Sequence, residues 1–150
     1  MELTFKVFAY VSKPVQAVFE AVADPEQLSC YFTTGGAAGR LETGATVTWD
    51  FHDFPGRFPV HVVEAVPDAR IVLEWKAAEP GEADYRTTVT MTFTPTDDGR
   101  TLVEIAEKGW RETESGLRAS YGNCMGWSQM LCALKLWLEH GINLREAMYR

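Results

Sequence analysis

Residues 126–141 read GWSQMLCALKLWLEHG, with two tryptophans and four leucines in one stretch. Ser128, Gln129, Lys135 and Glu139 interrupt it, and it falls short of the about 20 predominantly apolar residues that a bilayer crossing needs. Such a surface has to be covered by protein, by a partner or by a ligand. Its spacing is helical: Leu117, Tyr121, Cys124, Trp127, Leu131, Leu134 and Leu138 recur every three or four residues, and Met130 and Trp137 widen the stripe. The pattern predicts one long helix from about Thr113 to His140, stopped by Gly141 as a C-terminal cap. The tail NLREAMYR is read as one more turn or a frayed end.

What such a helix covers is written upstream. From Gly35 to Glu107 the apolar residues alternate with period two. Val47, Trp49 and Phe51 form one set, then Phe58, Val60 and Val62, then Ile71, Leu73 and Trp75. In YRTTVTMTFT, residues 85–94, Val89, Met91 and Phe93 face one way and Thr88, Thr90, Thr92 and Thr94 the other, which predicts a sheet with one dry and one wet face. Pro67-Asp68 and Asp97-Asp98-Gly99 supply the turns of a meander. Ahead of it, LTFKVFAYV is a first strand, and Pro14 opens a short helix capped by Ser12 or Lys13. Asp24-Pro25-Glu26-Gln27 starts a second helix to about Ser29.

The expected fold is therefore α+β: a curved antiparallel sheet wrapped around a long C-terminal helix, with two short helices after the first strand, as a single domain over 1–150. Acidic residues outnumber basic ones 21 to 14, a net charge of -7, which disfavours nucleic acid and anionic membranes as partners. The opening residues do not read as a signal peptide, and a cytoplasmic location is expected. Three cysteines form no disulfide framework; Cys124 and Cys132, about 12 Å apart along one helix, cannot pair and are expected as buried thiols. The scattered His52, His61 and His140 predict no metal site, and no cofactor is indicated.

The order of elements resembles the helix-grip fold of the START and Bet v 1 (SRPBCC) superfamily. The wording narrows this: KPVQAVFEAVADPEQLSCYF, FPVHVVEAVPDARIVLEW, VTMTFTPTDDGRTLVEIAEKGW and GWSQMLCALKLWLEHG together resemble the branch similar to the C-terminal domain of the Hsp90 ATPase activator. Where that branch commonly has tryptophans, in the first helix and before the following aromatic, this chain has Phe19 and Tyr31.

The resemblance implies an apolar or aromatic small molecule enclosed between sheet and long helix. Candidate lining residues are Phe32, Trp49, Phe51, Val60, Val62, Trp75, Met91, Phe93, Trp110, Cys124, Trp127 and Leu131. Two alternatives stay open: a cyclase, dehydratase or hydrolase using the same cavity, and an interaction domain for a chaperone, a regulator or a second copy of the chain. For chemistry the residues offer little. His61 points outward if Val60 and Val62 point in, Glu104 shares the outer face with Leu102 and Ala106, and Arg86 and Glu107 are placed on the wet face or at strand ends. No nucleophile and base pair emerges, and TTGGAAGR, residues 33–40, lacks phosphate-loop spacing and reads as a loop at the cavity mouth.

Overall fold

Alternation and helical period each produce the element they predict. In a computed structural model, which describes residues 1–81 and 84–149, β1 (Thr4–Val11) is followed by α1 (Val15–Ala23) and α2 (Pro25–Tyr31). Six further strands follow, β2 (Gly36–Ala38), β3 (Thr46–Asp50), β4 (Phe58–Val66), β5 (Arg70–Lys76), β6 (Arg86–Pro95) and β7 (Thr101–Lys108), and then α3 (Glu114–His140). The strands form one antiparallel sheet in the order β1-β7-β6-β5-β4-β3-β2. The chain thus meanders from β2 to β7 and then closes on its own first strand, with Phe5 opposite Glu107 and Val7 opposite Ile105. A bulge between Val62 and Glu64 shifts the β4–β5 register and adds local twist to the sheet.

Helix starts and stops follow local chemistry, with one difference. Asp24 closes α1 and caps α2, its Oδ1 accepting from the Glu26 N–H at 2.9 Å, with Pro25 in the first helical position. Pro14, expected inside the first turn of α1, is itself the N-cap in extended backbone, and no side chain caps this helix; its carbonyl accepts from Ala17 and Val18. Thr113 caps α3 through Oγ1 to the Gly116 N–H at 3.0 Å, and Gly141 ends it in the left-handed conformation, φ 68°.

The inner face of the sheet buries Val47, Trp49, Val60, Val62, Ile71, Leu73, Val89, Met91, Val103 and Ile105 against Trp127, Met130, Leu131 and Leu134 of α3. Two bonds hold the helix to the β1 edge, Lys135 Nζ to the Tyr10 carbonyl at 3.0 Å and the Ser12 N–H to Glu139 Oε2 at 2.9 Å. The first half of α3 departs from the expected stripe: Leu117 and Tyr121 are exposed, and Gly116, Ala119 and Ser120 are buried. Close approach is the reason. A Cβ on Gly116 would lie 2.0 Å from the Arg111 carbonyl oxygen, so small residues face inward here and large ones turn out.

Other expectations are corrected. Cys124 is half-buried and Cys132 exposed, because the buried stripe runs through Trp127, Met130, Leu131 and Leu134 and leaves both thiols off its centre. The glycine-rich 33–40 stretch, expected as a loop, contains edge strand β2, paired with β3 from Gly36 opposite Asp50 to Ala38 opposite Thr48. Glycines make the close approach possible: Gly39 has φ +97° and Val47 Cγ1 would stand 2.9 Å from a Cβ placed on it. The tail forms turns that bury Arg145.

Candidate functional site: a carboxylate at the seam of sheet and helix

The inner face carries one charged side chain among its aliphatic rows. Along β7, Thr101, Val103, Ile105 and Glu107 alternate inward, so Glu107 follows the buried set and is 1% exposed. Of the two placements expected for it, the wet face is therefore wrong and the strand end holds: Glu107 is the last residue but one of β7, whose neighbours β1 and β6 flank it. Register then delivers its partners. Glu107 stands opposite Val89 on β6, which places Thr87 diagonally beside it, and Thr87 stands opposite Trp75 on β5.

Across the seam, Asn123 and Trp127 lie one helical turn apart on α3 and reach down to the same carboxylate. Oε2 accepts from Trp75 Nε1 at 3.0 Å, from the Thr87 hydroxyl at 2.7 Å and from Asn123 Nδ2 at 3.0 Å. Oε1 accepts from Trp127 Nε1 at 2.9 Å and from Asn123 Nδ2 at 3.1 Å. Burial pushes the Glu107 carboxyl above the ordinary carboxylate range, and the Trp75, Thr87, Trp127 and Asn123 donors pull the other way. A carboxylate offers about four lone-pair directions, and this one meets five donor contacts. It has none left to take a proton from a substrate, so the arrangement fits a pin that orients two indoles better than a general base.

The pinned indoles belong to a continuous aromatic cluster. Trp75 stacks on Trp127 at 5.5 Å between ring centroids, and Trp49 meets Trp75 edge-on at 5.8 Å. Phe32, in the C-cap of α2, touches Trp127, Trp49 and Phe51 at 5.4, 5.6 and 5.0 Å. At its far end the Arg145 guanidinium covers Phe32 at 5.4 Å and Phe51 at 5.6 Å.

Of the lining residues inferred from the sequence, Phe32, Trp49, Phe51, Trp75 and Trp127 come together here, and Val60, Val62, Met91 and Leu131 share the same core. Phe93 lies in it against Phe19 of α1, at 5.4 Å. Trp110 does not join: it stacks on Phe5 at 5.6 Å in a separate cluster with Ala77 and Ala119, since it follows β7 past the end of the inner face. Cys124, half-buried, is outside the core cluster. The lining residues pack directly on one another, and two surface depressions of about 80 and 280 Å³ are lined by no residue of α3. His61 points outward between buried Val60 and Val62, with Nδ1 3.1 Å from Thr46 Oγ1. Glu104 is on the outer face beside Lys6, and Arg86 is exposed. Among the described residues no group of three or more His, Cys, Asp or Glu is placed to hold a metal ion.

Sequence reasoning missed Glu107, Thr87, Asn123 and Arg145. For the first two the signal existed, because alternation from Val103 and Ile105, and from Val89 and Met91, points both inward. Asn123 is four residues before Trp127. Arg145 had no signal.

A curved antiparallel sheet gripping one long helix, with two short helices after the first strand, defines the helix-grip class of the SRPBCC superfamily. Within it, a family model described as activator of Hsp90 ATPase homolog 1-like protein matches residues 12–139, and the chain belongs to that family. Solved structures agree in fold. Protein SSP2350 from Staphylococcus saprophyticus is 26% identical with TM-score 0.75, over 97% of this chain and 96% of that one. MLL2253 from Mesorhizobium loti is 24% identical with TM-score 0.77, over 93% and 98%. The Aha1 dimer from Colwellia psychrerythraea is 18% identical with TM-score 0.73, over 92% and 97%. No curated protein matches the chain significantly.

Proposed function

We propose that the chain is a small-molecule-binding domain that encloses an apolar or aromatic ligand between the sheet and α3. The observation that carries this reading is the Glu107 pin. One buried carboxylate fixes an indole from the sheet and an indole from the helix, so the aromatic surface spanning both layers is oriented in advance. A plain core needs no such carboxylate, which burial makes unfavourable. Ligand binding would part the Trp127, Trp75 and Phe32 rings and replace ring contacts by ligand contacts. The test is a titration with the neutral dye phenylnaphthylamine, followed by dye emission and tryptophan quenching. Saturable one-to-one binding, altered in Trp127→Ala and unaltered in Thr92→Ala on the outer face, supports the reading; absence of saturable binding across a panel of apolar and aromatic probes refutes it.

A second reading, docking on a chaperone, a regulator or a second copy of the chain, is favoured by one separate feature. Leu117, Tyr121 and Met125 stand one turn apart on α3 and are 36%, 65% and 61% exposed, an apolar row of the kind that partners cover. The Colwellia relative is described as a dimer. Light scattering of the wild type and of Tyr121→Lys tests self-association: a concentration-dependent dimer abolished by the substitution supports it, and a monomer throughout rejects the homodimer. A cytoplasmic location accompanies both readings, supported by the free Cys30, Cys124 and Cys132; no helix among the described residues is long and apolar enough to cross a membrane.

A further inference from the structure

Buried polar atoms without partners are few in folded proteins, and each requires a reason. Among the described residues four side-chain atoms are buried and unpaired: Thr33 Oγ1, Trp49 Nε1, Trp110 Nε1 and Arg145 Nε. Trp110 sits in the second cluster. The other three gather around one ring, Phe32. Thr33 follows it in the chain, Trp49 contacts it at 5.6 Å, and the Arg145 guanidinium lies 5.4 Å from its centroid. Thr33, Trp49 and Arg145 are 1%, 0% and 3% exposed.

Their chemistry is one-sided. An indole and a guanidinium can only donate, and a hydroxyl can donate. Arg145 is also under-compensated as a charge: among the described residues Nη2 reaches one carboxylate, Asp53 Oδ1, only at 3.4 Å, Asp53 is 42% exposed, and the guanidinium lies over the Phe32, Phe51 and Tyr149 rings. A buried cation with one long partner is costly, and what would relieve it, together with the two other donors, is an acceptor-rich anion.

We propose that this end of the aromatic cluster recognises the anionic group of an aromatic ligand, such as an aryl carboxylate or sulfonate, through the unpaired donors of Arg145, Trp49 and Thr33. The proposal rests on the ligand-binding reading and adds the ligand's charge to it. The ring of the ligand takes the aromatic contacts, and its acid group takes the place of Asp53 beside Arg145. For entry the turns of 142–149 open and then close again over the ligand, returning Arg145 to its acid group; without ligand they are tied back by the Asp53 pair and by the Tyr149 hydroxyl donating to Gln129 Oε1 at 2.6 Å. The overall charge of -7 repels anions at long range, so a preference for an anion has to come from a local cation.

Two dyes with one ring system separate charge from ring: anilinonaphthalene sulfonate and neutral phenylnaphthylamine. Wild type is expected to bind the sulfonate one-to-one and about tenfold more tightly than the neutral dye, the scale of one charge-assisted hydrogen-bonded contact. Arg145→Gln should erase the preference, bringing the affinity for the sulfonate down to that for the neutral dye. Asp53→Asn, a change at a half-exposed site, removes the competing carboxylate and should tighten sulfonate binding alone by several-fold, on the order expected for a nearby charge. Thr33→Val should weaken sulfonate binding alone. Should Arg145→Gln fail to fold, the opposite signs of Asp53→Asn and Thr33→Val still decide. Equal affinity for both dyes in the wild type, or a preference that survives Arg145→Gln, overturns the proposal and leaves the ligand-binding reading standing. Failure of both dyes to bind removes the two together.

Discussion

Glu107→Gln separates the two effects that meet at the buried carboxylate. The substitution keeps the shape while removing the charge and one acceptor atom. Trp75 bonds to Oε2 and Trp127 to Oε1, so whichever way the amide is turned its NH2 faces one of the two indole N–H groups. Neither indole can reverse its donor, whereas the Thr87 hydroxyl and the Asn123 amide can reorient. The direct cost is one stranded donor at a site where Trp127 is 2% exposed, or about 1–3 kcal/mol. Against this, glutamine avoids burying a charge. Because burial raises the Glu107 carboxyl above its unfolded value of 4.5, the group contributes stability that is fully present below that value and is lost as pH rises through the higher folded one. The deficit of Glu107→Gln should thus be greatest near about pH 4 and shrink as pH rises above the ordinary carboxylate range. Urea denaturation of both proteins across that interval reads the difference directly. A deficit that widens toward neutral pH would show that the four donors outweigh desolvation, and no deficit at any pH would refute the stranded-indole argument.

Other perturbations follow from the packing. Trp127→Ala removes a ring that contacts Phe32, Trp49 and Trp75 and leaves Glu107 short of a donor; a loss of about 3–5 kcal/mol is expected in chemical denaturation. Gly116→Ala places a Cβ 2.0 Å from the Arg111 carbonyl oxygen, and the forced shift of the loop before α3 should cost about 1–3 kcal/mol, although alanine is the better helix former; a stabilised variant would contradict the close approach. Thr113→Ala, at the cap of the same helix, should cost about 0.5–2 kcal/mol and lower the thermal midpoint without altering dye binding.

Much of the architecture is local and so was legible in the sequence. Period two in YRTTVTMTFT and period 3.6 after Trp110 fix strand and helix, because side-chain direction repeats every two residues in one and every 3.6 in the other. Asp24-Pro25 and Gly141 set element ends through their own backbone chemistry. Exceptions came where a neighbour distant in sequence intervened. The inward face of α3 near Gly116 is set by the Arg111 carbonyl, and β2 exists only through its pairing with β3. Glu107 shows the division most sharply. Alternation along β7 pointed it inward, but an unpartnered charge argues for the outer face, and its four partners lie on β5, β6 and α3, 16 to 32 residues away. A strand's period tells which way a side chain points; whether a carboxylate can remain there depends on donors that only the assembled sheet and helix bring within 3 Å of it.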